Sequence, residues 1–82
     1  MSALPHLSID VEINLKSEVC PYIFVKSKLA IEDMEKGQIL KVIVDHEPAV
    51  ENVPRSLSNE GHEVINVSKI NDADWQIMVR KA

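Results

Sequence analysis

The sequence predicts an α+β fold, a two-layer α/β sandwich whose elements run β-α-β-α-β-β. Its four-stranded mixed sheet carries both helices on one face. Three observations lead there. Residues 9–16 alternate apolar and polar side chains with period two, as a strand does when one face is buried and the other wet. Two longer segments space apolar residues at helical intervals and are punctuated by proline and glycine. The last two apolar runs are separated only by Asn71-Asp72-Ala73, a connection so short that they form an antiparallel hairpin. Two βα units ahead of that hairpin imply parallel pairing through right-handed crossovers, which sets both helices on the same side of the sheet.

The first strand spans residues 7–15, with Ile9, Val11, Ile13 and Leu15 on one face and Asp10, Glu12, Asn14 and Lys16 on the other. Cys20 then falls at a helix N-cap and Pro21 at the first helical position, where its missing N–H leaves nothing unsatisfied. The helical pattern runs to about Lys36, and Gly37 just past its end supplies the stop. At about 100° per residue, Ile23, Phe24, Ser27, Ala30, Ile31 and Met34 form the stripe that faces the core. Tyr22, Val25 and Leu29 lie on a different stripe and cannot all pack on the same sheet. Residues 38–45 read as a second, mostly buried strand. Asp45-His46-Glu47-Pro48 leads into a second helix with Val50, Val53 and Leu57 on one face and Glu47 and Glu51 near its positive N-terminal end. Pro54 disturbs that pattern, so the helix either restarts there or is kinked. Glu60-Gly61 ends it, and residues 63–70 and 74–80 are the strands of the hairpin.

With 82 residues the chain forms one domain over 1–82, residues 1–6 being a flexible tail. Apolar residues at 45% and charged residues at 27% are enough to bury a core. A single cysteine excludes an internal disulfide and hence a disulfide-framework secreted module, so stability must come from packing. A net charge of −4, from 13 acids against 9 Lys and Arg, argues against phosphate-backbone binding, and no direct nucleic-acid partner is expected. Apolar runs of about five residues fall far short of the roughly 20 needed to span a membrane. The N-terminus has neither the basic nor the apolar region of a signal peptide. The expected location is the cytoplasm, whose reducing chemistry suits an unpaired thiol.

Cys20 holds the position that points most directly to chemistry. This topology sets it at the carboxyl end of the first strand and the amino end of the first helix, where helix N–H groups and the macrodipole favour a thiolate. That suits a nucleophile or sulfur carrier. The bland alternative is a small buried apolar side chain, as most free cysteines are. Asp45 and His46 end the second strand on the same sheet edge, placed to support the thiol locally, although His46 also reads as a solvated loop residue. His6 and His62 read as solvated. There is no zinc-ligand spacing, no second cysteine for dithiol exchange and no phosphate-binding glycine loop, so neither a metal nor a cofactor is implied. The stripe of Tyr22, Val25 and Leu29 starts beside Cys20. It reads either as a docking surface for a protein that exchanges something with the thiol or as a face covered by the sheet edge or the N-terminal tail. Lys26 and Lys28, on the same helix, are placed to steer an acidic partner or are simply solvated.

Ile9-Asp10-Val11 leads to Cys20-Pro21 at a helix start, and Gly37 precedes the second strand. Asp45-His46-Glu47-Pro48-Ala49-Val50 is followed by Pro54. Glu60-Gly61-His62-Glu63-Val64 and Trp75-Gln76-Ile77-Met78-Val79-Arg80-Lys81 complete the pattern. Together these segments, over about residues 8–82, resemble the TusA/SirA-like family of small sulfur-carrier proteins. The family motif Cys-Pro-x-Pro reads Cys20-Pro21-Tyr22-Ile23 here, and Ser17 stands where a glycine is common. The resemblance implies the same β-α-β-α-β-β sandwich. It also implies a sulfurtransferase-type carrier, acting with partners rather than as a stand-alone enzyme, whose cysteine, matched by Cys20, holds sulfane sulfur as a persulfide. The partners implied are a sulfur donor, such as a cysteine desulfurase or rhodanese-like protein, and an acceptor, such as a DsrE-like protein or a thiouridylase. Such relays serve tRNA thiolation, cofactor sulfur supply or sulfur oxidation. Two other readings stand beside this one. A non-catalytic interaction or regulatory module of the same fold would keep Cys20 structural. RNA binding, which a similar topology serves in a translation factor, is disfavoured by the acidic charge and the scarcity of aromatic side chains.

Overall fold

The computed structural model describes residues 9–19 and 22–82. The expected tail at residues 1–6 and the placements of Cys20 and Pro21 lie outside those residues. The described elements are β1 (Val11–Asn14), α1 (Tyr22–Glu32), β2 (Ile39–Val44), α2 (Glu47–Asn59), β3 (Glu63–Lys69) and β4 (Trp75–Arg80). This is the expected α+β order, a four-stranded mixed sheet with two helices packed on it.

The strands lie in the order β1-β2-β4-β3. β1 runs parallel to β2, with Val11 opposite Leu40 and Asn14 opposite Ile43. β4 is antiparallel to both of its neighbours, β2 and β3. The second βα unit therefore does not pair its own strands, because β4 inserts between β2 and β3. Side-chain character explains the insertion. Ile77 and Val79 face the helices fully buried, and Met78 on the reverse face is nearly so. A strand apolar on both faces belongs in the middle of a sheet. β3, with exposed Glu63, Asn66 and Lys69, suits an edge, and a register shift between Val64 and Asn66 interrupts its ladder as edge strands often do.

The core lies between sheet and helices. Leu40, Val42 and Val44 of β2 meet Ile23 and Ile31 of α1 and Ala49, Val53 and Leu57 of α2, all fully buried, with Val11 and Ile13 packed alongside. The helical stripe expected on α1 is the one that is buried, Phe24 and Ala30 flanking it. Over the described residues β1 covers only Val11–Asn14 of the expected strand, and Ile9, expected on its buried face, is exposed, although the pairing of β1 extends one residue each way. The Asp10 N–H bonds the Ile39 carbonyl at 3.0 Å and the Leu15 N–H bonds the Ile43 carbonyl at 2.8 Å.

Two helix ends differ from the sequence expectation. α1 stops at Glu32, not near Lys36. Gly37 instead serves a turn into β2, in which the Gln38 N–H reaches the Glu35 carbonyl at 3.0 Å and Gly37 takes φ 90° as third residue. That is the left-handed value a type II turn demands there. α2 neither restarts nor breaks at Pro54 but runs through it. The ring forfeits the bond to the Val50 carbonyl, and the buried Ala49, Val53 and Leu57 hold the helix together across the gap. Its end is a Schellman motif. The His62 N–H bonds the Leu57 carbonyl, the Gly61 N–H bonds that of Ser58, and Gly61 takes φ 100°. Among the described residues no helix is long and apolar enough to cross a membrane.

Candidate functional site

The parallel β1–β2 pair brings the ends of both strands to one edge of the sheet, where the chain leaves β1 toward residues 20 and 21. Leu15 is buried and anchors the exit. Residues 15–18 then form a tight turn, closed by the Glu18 N–H on the Leu15 carbonyl at 3.1 Å. Ser17, third in that turn, takes φ 75°. Left-handed backbone is costly for any residue with a Cβ, which gives a physical reason for the glycine common at this position in the resembling pattern. The Lys16 N–H is held by Asn14 Oδ1 at 3.0 Å.

Three consecutive residues of this loop are each tied to a different element. Lys16 Nζ lies 3.3 Å from Asp74 Oδ2 in the β3–β4 connection. The Ser17 N–H donates to Asp45 Oδ1 at 2.9 Å, just past β2. Glu18 Oε2 accepts from Lys26 Nζ on α1 at 2.8 Å. Among these ties the open Lys26–Glu18 pair contributes about 0–1 kcal/mol, so its value here lies in geometry rather than stability. On the far side of Cys20-Pro21 the Ile23 N–H of α1 bonds the Val19 carbonyl at 3.1 Å.

Asp74 belongs to the loop, not to β4, where the sequence had placed it. Asn71 builds that loop: its Oδ1 accepts the N–H groups of Ala73 and Asp74, and its amide donates to Asp74 Oδ2 at 2.9 Å. The Asn71 amide, aided by the Lys16 ammonium, holds the Asp74 carboxyl below the ordinary value of 3.8, against the opposing effect of burial.

Of the residues singled out from sequence, the fold brings Asp45 against the Cys20 loop. His46 is the N-cap residue of α2, but its side chain does not cap that helix. Tyr22 and Leu29 are each 60% exposed and Val25 46%, and Val19, just ahead of Cys20 in the chain, is equally open at 46%. Lys26 is committed to Glu18. Cys20 and Pro21 themselves lie outside the described residues. Sequence reasoning missed Lys16, Asn71 and Asp74. Asn71 could have been found, since an asparagine two and three residues before backbone N–H groups is an Asx-turn signal. Among the described residues no three His, Asp or Glu side chains gather to hold a metal ion. An open hollow of about 300 Å³ lies at the opposite end of the sheet, lined by Lys36, Glu63, Arg80 and Lys81 among others, and is remote from this edge.

Comparison with known proteins agrees with this architecture. The sequence model described as sulfurtransferase TusA matches residues 11–81. A relative from Archaeoglobus fulgidus, named "putative sulfur carrier protein", is 49% identical over 84% of this chain and 78% of its own. Another of that name, TsuB of Escherichia coli K12, is 32% identical over 87% of this chain and 95% of its own. The crystal structure of a SirA-like protein from Desulfitobacterium hafniense superposes with a TM-score of 0.77 at 18% identity, over 85% of this chain and 95% of that one. The chain belongs to the TusA sulfurtransferase family, the TusA/SirA-like family of sulfur carriers that its motifs resemble.

Proposed function

We propose that this protein carries sulfane sulfur as a persulfide on Cys20 and passes it between partner proteins. The observation that carries the reading is the surroundings of Cys20-Pro21 in the chain. Val19 before them and Tyr22 after them are both open to solvent, Tyr22 begins the exposed apolar stripe of α1, and residues 16–18 are held by three separate ties. A sulfur carrier needs a reactive thiol on a defined loop and a surface that a partner can cover, not an enclosing pocket. Pro21 suits the helix start that follows the thiol, and Tyr22, Val25 and Leu29 supply the docking surface, with Lys26 beside them as one half of its pair with Glu18.

In the loading step the Cys20 thiolate attacks the terminal sulfur of a donor persulfide. A bond forms between Cys20 Sγ and that sulfur, the donor's S–S bond breaks, and the donor leaves as a thiolate. An acceptor thiolate then attacks the same terminal sulfur and expels Cys20 as a thiolate, so no net oxidation occurs. A single cysteine fits this sequence, because a second thiol within reach would discharge the persulfide as a disulfide. The donor is a cysteine desulfurase or rhodanese-like protein, the acceptor a DsrE-like protein, a thiouridylase or a comparable thiol protein, and the relay operates in a reducing cytoplasm.

The test is intact mass after incubation with a loaded desulfurase or rhodanese. The expected product gains one sulfur atom, and Cys20→Ser gains none. Equal gain by both proteins, or none by the wild type, overturns the carrier role and leaves an interaction module with a structural thiol.

A further inference from the structure

We propose that Asp45 is a positioning residue for the sulfur-carrying loop, acting through the backbone of Ser17. The inference rests on the carrier reading for its consequence, but its geometry stands apart. Ser17 occupies the third position of the turn over residues 15–18 at φ 75°, a conformation that glycine adopts freely and serine does not. Left to itself, a serine in this turn relaxes toward right-handed backbone and redirects Glu18 and Val19, the residues that lead to Cys20. The turn's own closing bond runs from Glu18 to Leu15 and leaves the Ser17 N–H free for an outside acceptor. Asp45 Oδ1 takes it at 2.9 Å across 28 residues of sequence. Asp45 follows directly on β2, whose Ile43 carbonyl already holds the Leu15 N–H at 2.8 Å, so the latch is referred to the rigid sheet. The two contacts clamp the turn at its first and third residues from one neighbouring strand end.

The latch makes a specific demand. A glycine at position 17 holds the left-handed turn unaided, so Ser17→Gly should make Asp45 dispensable. Four proteins test this: Asp45→Ala, Asp45→Asn, Ser17→Gly and the double variant Ser17→Gly/Asp45→Ala, each checked for folding by circular dichroism. Two rates are measured, sulfur gain from glutathione persulfide and alkylation of Cys20 by iodoacetamide. Asp45→Ala should slow sulfur gain about tenfold and shift the alkylation rate by more than about threefold, as misplacement of a reacting group does. Asp45→Asn, which keeps an acceptor oxygen, should stay within about twofold, and the double variant should return to within about threefold of Ser17→Gly. Asp45→Ala at wild-type rates with both reagents overturns the latch. Failure of Ser17→Gly to rescue, with Asp45→Asn as impaired as Asp45→Ala, also overturns it and makes the carboxylate's charge the active property. A wild type that gains no sulfur overturns the carrier reading instead, and the alkylation rates then decide the latch by themselves.

Discussion

Replacing Ser27 by alanine should make the protein more stable. Ser27 lies on the core stripe of α1 between Ile23 and Ile31, all three fully buried, and its hydroxyl has no hydrogen-bond partner among the described residues. A buried hydroxyl left unsatisfied costs about 1–3 kcal/mol. Alanine is also the better helix former, by roughly half a kcal/mol. The void left by one oxygen, on the order of 10 Å³, returns only about 0.2 kcal/mol of that gain. The net expectation is about 1–3 kcal/mol of added stability, equivalent to a Tm higher by about 5–15 °C for a domain of this size. Urea unfolding followed by circular dichroism and by the single tryptophan, Trp75, reads it directly. The midpoint should rise while the slope stays constant, since the surface exposed on unfolding hardly changes. An unchanged or lower midpoint would refute the reasoning, showing that the hydroxyl is bonded, most simply back to the Ile23 carbonyl one turn earlier. Ser27→Thr is the control. It keeps the hydroxyl and adds a methyl group to a full core, and it should lower the midpoint.

Two further outcomes follow from the same structure. Pro54→Ala restores an N–H to face the Val50 carbonyl inside α2. The helix gain of about 3 kcal/mol, reduced by the freer unfolded chain and the lost packing of a half-buried ring, leaves about 1–2 kcal/mol of stabilisation in a urea titration. Asp74 gives the fold a pH dependence of known sign. Its folded-state pKa lies below the ordinary 3.8, so the contribution is fully present above the unfolded value and is lost as pH falls through the lower folded one. Wild type should therefore exceed Asp74→Asn in urea midpoint at pH 7, and the difference should shrink as pH falls through the acid range below the ordinary 3.8. A difference that stays constant over that range would show that the carboxylate's charge contributes nothing.

The elements were legible because each rests on local pattern. Alternation in β1, the buried stripe of α1 and the amphipathic α2 are properties of adjacent residues, and burial on one side of a sheet enforces them. Their ends were less so. Lys36 continues the helical composition, yet the chain must turn at Gly37 to deliver Gln38 beside the end of β4, where the Lys81 N–H meets the Gln38 carbonyl at 2.8 Å. Pro54 looked like an interruption because its cost is local, whereas the packing that outweighs it comes from the sheet and from α1.

The single sequence was thus sufficient for the fold class, the core-facing stripe of α1, the apolar stripe that begins beside Cys20 and the family they identify. All of these are encoded in spacing and residue type along one stretch of chain. Only the tertiary structure decided that β4 enters between β2 and β3, that Asp74 leaves its strand to meet Lys16, and that Asp45 holds the Ser17 turn. Each joins residues far apart in sequence. Contacts of that kind depend on how the strands are ordered and aligned, and side-chain periodicity carries no record of a partner 28 residues away.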